Sequence, residues 1–141
     1  MTNDKTVVID RVFNASPERV FAAFTETAQL AQWYGPEGMT AEIFENDVRP
    51  GGRYELVMRS TEGEYFLSGA YEKIDPPSKL VMTWKWKTGE ITSRVTIELN
   101  PEGEKTHLRL THTGFAEASD AAAHNEGWTS SLNALDKYLK A

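Results

Sequence analysis

The chain predicts an α+β fold, an antiparallel sheet closed by one long C-terminal helix. Three observations carry this. Ser119 to Leu139 is the only long amphipathic segment: His124, Trp128, Ser131, Leu132, Leu135 and Leu139 recur at three- and four-residue steps and share one face. From Met39 to Phe115 the hydrophobic period is two instead, broken by Gly- and Pro-rich turns at roughly ten-residue spacing. Each strand in that run carries one polar face, so one side of the sheet meets water and the other needs a cover.

The elements follow in order. Thr6 to Asn14 alternates as a strand. Ser16-Pro17 supplies an N-cap with proline at the first helical position, and Val20, Phe21 and Phe24 give that short helix its apolar stripe. A second short helix runs from Thr27, carries Leu30, Trp33 and Tyr34, and stops at Gly35-Pro36. Thr40 to Glu45 is a strand, and Arg49-Pro50-Gly51-Gly52 is a turn. Arg53 to Arg59 sets Tyr54, Leu56 and Met58 on one face. Thr61-Glu62-Gly63-Glu64 reads as a hairpin loop, and Tyr65 to Ile74 as a strand broken by Gly69. Leu80 to Lys87 places Leu80, Met82, Trp84 and Trp86 together. Thr92 to Leu99 follows with Ser93, Val95, Ile97 and Leu99 on one face. After Pro101-Glu102-Gly103-Glu104, Thr106 to Thr113 turns Leu108, Leu110 and His112 inward. Six or seven strands result. The 141 residues form one domain, with no repeat or linker.

Composition excludes several classes of function. There are no cysteines, so disulfides, thiol nucleophiles and cysteine-based metal sites are ruled out. The net charge is −6, and the 15 Lys and Arg residues are scattered, which argues against nucleic-acid binding. Met1 to Lys5 is polar and does not read as a signal peptide, and no apolar run reaches membrane-spanning length, so the expected location is cytoplasmic.

Some side chains invite two readings. Trp128 either lines a cavity, offering its indole N–H, or packs helix to sheet. Gly127 beside it costs helix stability and permits close approach to the sheet. Trp84 and Trp86 form either a cavity wall or a core. His112 is either a ligand-binding or proton-carrying imidazole or a hydrogen-bonded core histidine. His107 faces the opposite way from His112. His124 can approach His112 from the helix, but two histidines without a third ligand do not make a metal site. No nucleophile constellation stands out: Ser130 and Ser131 lack an elbow turn, and Ser93 has no adjacent base. Glu62 and Glu64 read as a solvated face.

The order of elements resembles the START-like, helix-grip (SRPBCC) superfamily. Local motifs resemble the branch related to the C-terminal domain of the activator of the ninety-kilodalton heat-shock protein ATPase. They are Ala15-Ser16-Pro17-Glu18-Arg19-Val20-Phe21, Trp33-Tyr34-Gly35-Pro36, Arg49-Pro50-Gly51-Gly52-Arg53-Tyr54, Ile74-Asp75-Pro76-Pro77, Leu80-Val81-Met82-Thr83-Trp84, Leu110-Thr111-His112-Thr113-Gly114-Phe115 and Gly127-Trp128-Thr129-Ser130-Ser131-Leu132. The resemblance implies a curved sheet around the C-terminal helix, with a small hydrophobic or amphipathic molecule held between them. Trp33, Tyr54, Met58, Trp84, Trp86, His112, Phe115, Trp128 and Leu132 are the expected cavity lining, with no metal and no cofactor. A cyclase- or hydrolase-type enzyme in the same cavity, or a co-chaperone-like interaction module, is the competing expectation. The eukaryotic co-chaperones carry a further N-terminal domain without counterpart in these 141 residues, so chaperone activation is the less favoured of the two. The oligomeric state is left open.

Overall fold

A computed structural model of the protein describes residues 5–140. The signal-peptide reading rests mainly on Met1 to Asp4, which lie outside the described residues. The elements are β1 (Val7–Phe13), α1 (Pro17–Thr25), α2 (Thr27–Trp33), β2 (Thr40–Asn46), β3 (Arg53–Ser60), β4 (Gly63–Asp75), β5 (Lys79–Trp86), β6 (Ser93–Glu102), β7 (Lys105–Thr113) and α3 (Ala118–Lys140). One seven-stranded sheet runs β1-β7-β6-β5-β4-β3-β2, every pair antiparallel. The edge strand β1 packs against α3 and the other edge strand, β2, against α2, so the sheet curves around the helices.

Local chemistry explains the joints. The Ser16 side chain accepts from the Arg19 amide and caps α1, with Pro17 in its first turn. Hairpins are tighter than the turn residues alone suggest. Ser60 pairs with Gly63, leaving only Thr61 and Glu62 in the turn, and Glu102 pairs with Lys105 across Gly103 and Glu104. Gly103 has φ +64°, the left-handed conformation that the first central position of a Gly-X hairpin turn needs. Gly69 does not break β4, which is continuous. A Cβ there would come within 2.0 Å of the Thr83 carbonyl oxygen and 2.6 Å of the Tyr54 ring. The glycine is a seat for Tyr54, whose hydroxyl donates to the Thr83 carbonyl.

The outer face of the sheet is tied by cross-strand ion pairs. Arg59 bridges Glu42 and Glu64, Arg94 pairs with Glu72, and Asp10 takes both Arg109 and His107. His107 therefore lies on the opposite face from His112. The inner face meets α3, whose buried positions are Ala121, Trp128, Ser131, Leu132, Leu135 and Leu139. The helix is held at its C-terminal half by Arg11 donating to Asn133 (2.6 Å), Tyr138 to Gln29 (3.1 Å) and Arg19 to the Leu139 carbonyl (3.4 Å). The last of these places a guanidinium at a helix C-terminus, where the dipole favours it.

Candidate functional site

Along α3 the packing changes character. Leu132, Leu135 and Leu139 press into a solid core with Val20, Phe24 and Phe13. Towards the N-terminus, Ala123, His124 and Gly127 instead stand over a cleft of about 350 Å³. Its floor is Trp84, Trp86 and Met58 from the sheet. Its other wall is the segment after α2, from Tyr34 to Met39. That segment is held to the helix by the Glu37 amide donating to Ser130 Oγ (2.7 Å) and by Lys137 beside Glu37 (3.7 Å). The lining is overwhelmingly apolar and contains no Asp, Glu, Lys or Arg.

The structure brings four of the nine expected lining residues to this cleft: Met58, Trp84, Trp86 and Trp128. The other five lie elsewhere, each for a stated reason. Trp33 points back into α1, where its Nε1 donates to the Ala23 carbonyl at 2.9 Å. Tyr54 sits four residues before Met58 on β3, about 13 Å along the strand, over Gly69. Leu132 is wholly buried in the core beyond Trp128. Phe115 packs at a tilt against His112 and His124, with ring centroids 4.4 and 4.6 Å away, and helps to cover the fully buried His112. His112 is buried behind Trp128.

His112 is part of a complete hydrogen-bond chain. Trp128 Nε1 donates to His112 Nδ1 at 3.0 Å, so the imidazole proton sits on Nε2, 2.7 Å from Ser93 Oγ. Ser93 in turn donates to the Trp84 carbonyl at 3.2 Å. Burial, with His124 nearby, pushes the His112 pKa down to about 3. Ser93 thus does have a histidine beside it, contrary to the sequence expectation. The missing signal was register: counting back from the Gly103-Glu104 turn pairs Val95 with His112 and leaves Ser93 on the adjacent diagonal. A nucleophile's base, however, must accept the hydroxyl proton. Here the facing nitrogen carries a proton of its own, and no carboxylate orients the ring. The chain is a buried polar brace between β6, β7, β5 and α3.

A second brace joins β5 to α3 beside the cleft. Trp86 Nε1 donates to His124 Nε2 at 2.9 Å, and His124 Nδ1 donates to the Asp120 carbonyl at 2.7 Å. Among the described residues no group of three or more His, Cys, Asp or Glu side chains is placed to hold a metal ion. Several lining residues escaped the sequence reading, chiefly Tyr34, Met39, His124, Gly127 and Ser131. For Tyr34 the signal was its place in the Trp33-Tyr34-Gly35-Pro36 motif. At a helix end, however, one residue turns the side chain by about 100°, and only packing decides which ring faces the sheet.

A curved antiparallel sheet wrapped on a C-terminal helix, with a cleft between the two, defines a helix-grip protein. The chain belongs to the Activator of Hsp90 ATPase homolog 1-like protein family, whose model matches residues 14–140. Among solved structures it is similar to a protein from Chromobacterium violaceum at 26% identity and TM-score 0.92, covering 99% of each chain. It is also similar to the AHSA1 protein from Silicibacter pomeroyi at 31% identity and TM-score 0.86, covering 96% of this chain and 97% of that one. A protein from Nitrosomonas europaea, 22% identical with TM-score 0.82, shares the fold. No curated protein matches the chain. Among the described residues no helix is long and apolar enough to cross a membrane.

Proposed function

We propose that the protein binds a small hydrophobic molecule in the cleft between the N-terminal half of α3 and the β3–β5 region of the sheet. The observation that carries this is Gly127. A mid-helix glycine costs about 1 kcal/mol against alanine, so something should require it. Close packing does not: an added Cβ would meet only Pro36 Cγ, at an ordinary 3.7 Å. The sequence expectation of close approach to the sheet is therefore replaced by a different role. Gly127 lines the cleft, and leaving out its side chain keeps the volume between α3 and the tryptophans. That volume, about 350 Å³, lies within the range of small-molecule sites and favours a ligand over a protein-interaction module. The apolar lining supplies affinity by burial.

The test is a titration with the neutral fluorophore N-phenyl-1-naphthylamine, run beside native mass spectrometry of freshly purified protein. We expect saturable one-site binding to the wild type. Gly127→Leu, which adds a better helix former whose side chain fills the cleft, should abolish binding while leaving the unfolding midpoint unchanged or higher. Equal binding by both proteins would sink the proposal.

A further inference from the structure

The polar atoms around the cleft divide into those already paired and those that are not. Trp86 Nε1 is taken by His124, Trp128 Nε1 by His112, and both His124 nitrogens are occupied. Four donors are left, of which the Tyr65 hydroxyl belongs to an exposed residue at 42% and the other three to buried ones. Trp84 Nε1 is buried without a hydrogen-bond partner. Tyr34 and Ser131 line the cleft at only 4% and 5% exposure, and neither hydroxyl bonds to any described residue. The first two lie side by side: the Tyr34 ring is 6.3 Å from that of Trp84 and 6.1 Å from that of Trp128. Ser131 follows Trp128 by three residues on the buried face of α3.

Buried donors are ordinarily paired, and an unpaired one is costlier than a hydrogen bond is favourable. That cost falls on Trp84 Nε1, while the unbonded Tyr34 and Ser131 hydroxyls are reached by solvent; together the three match an acceptor brought by a ligand. A lining with no cationic side chain offers a carboxylate or phosphate no counter-charge, and burying an unpaired charge is strongly unfavourable. Building on the binding reading above, we infer that the ligand is a neutral apolar molecule carrying one acceptor oxygen, of the ketone, ester or ether kind. Tyr34, Trp84 and Ser131 supply the donors that orient it. Ionised amphiphiles such as fatty acids are rejected.

Three probes of one skeleton test this at pH 7.5: tetralin, 1-tetralone and tetralin-1-carboxylate, each titrated by calorimetry. An acceptor that finds no donor in the cleft weakens binding by at least about tenfold relative to the hydrocarbon. The expected result is tetralone at least as tight as tetralin, with the carboxylate about a hundredfold weaker or undetectable. Tyr34→Phe and Ser131→Ala should weaken tetralone by about five- to tenfold and tetralin by less than about twofold. Trp84→Phe should do the same where it folds, and the other two variants carry the test if it does not.

A wild type that prefers tetralin by tenfold, a ratio unmoved in every variant, or a carboxylate bound as tightly as the ketone would each overturn the inference while leaving cleft binding intact. Failure of all three probes to bind would remove the binding reading itself.

Discussion

His112 admits two readings from sequence, a ligand-binding or proton-carrying imidazole and a hydrogen-bonded core histidine, and its geometry is that of the second. Both its nitrogens are engaged, by Trp128 and by Ser93, and its pKa is lowered to about 3. The folded state therefore binds fewer protons than the unfolded state between about pH 3 and 6.5. The stability this group contributes is complete above pH 6.5 and is lost as the pH falls through that window, at up to about 1.4 kcal/mol per unit. Heteronuclear NMR should find the His112 ring neutral, with its proton on Nε2, at pH 5. A midpoint near 6.5 would contradict the brace. Urea unfolding should show stability falling from pH 6.5 to 4.5, with a shallower slope in His112→Gln. Below that range the exposed pairs add their own loss, because Arg109 beside Asp10 and Arg94 beside Glu72 hold those carboxyls below their usual range. The inward face of His112 was legible from alternation with Leu108 and Leu110. Its two partners were not, because one comes from α3 and the other from a neighbouring strand.

Two glycines inside regular elements have opposite meanings at the scale of helix and strand. Gly127 in α3 faces open cleft, and Gly69 in β4 lies under the Tyr54 ring. Gly127→Ala should raise the unfolding free energy by about 0.5–1 kcal/mol, with a rise of a few degrees in Tm. Gly69→Ala forces a Cβ against the Thr83 carbonyl and should cost about 3 kcal/mol or more. Calorimetric melts of the two variants check both signs, and a shift of the same sign in each would refute the assignment. From sequence, Gly69 reads as a break and Gly127 as a close approach. The pattern locates a glycine in an element, but the atom facing it belongs to another part of the chain. Element boundaries were legible to within a few residues, because α3 and the strands declare themselves by period. Turn lengths were not, because Gly63 and Lys105 join the ladders through register.

At the scale of the whole molecule, α3 is joined to the sheet in two ways. Its C-terminal half buries Leu132, Leu135 and Leu139 in the core, while its N-terminal half rests on the Trp128–His112 and Trp86–His124 bonds around the cleft. The core is one continuous cluster running from Val7 to Leu139. Unfolding followed by tryptophan fluorescence and by far-ultraviolet circular dichroism should therefore coincide in one transition. An earlier loss of helical signal would show α3 melting on its own. A ligand in the cleft contacts both α3 and the sheet, so it should raise the single midpoint with concentration.

By itself the sequence determined the α+β class, the order of elements, the inward face of β3, β5, β6 and β7 and the single long helix that must cover them. Those features follow from periodicity, capping and turn chemistry, all of which are local. Tertiary structure alone decided which aromatic residues wall a cleft and which fill a core. Trp84 and Trp33 carry the same side chain, as do Trp86 and Trp128, yet Trp33 is spent on an α1 carbonyl and the other three border the cleft. The physical reason is that alternation states only that a residue faces inward. Whether space or another side chain lies opposite depends on how far α3 stands from the sheet, and that distance is set by residues far apart in the chain.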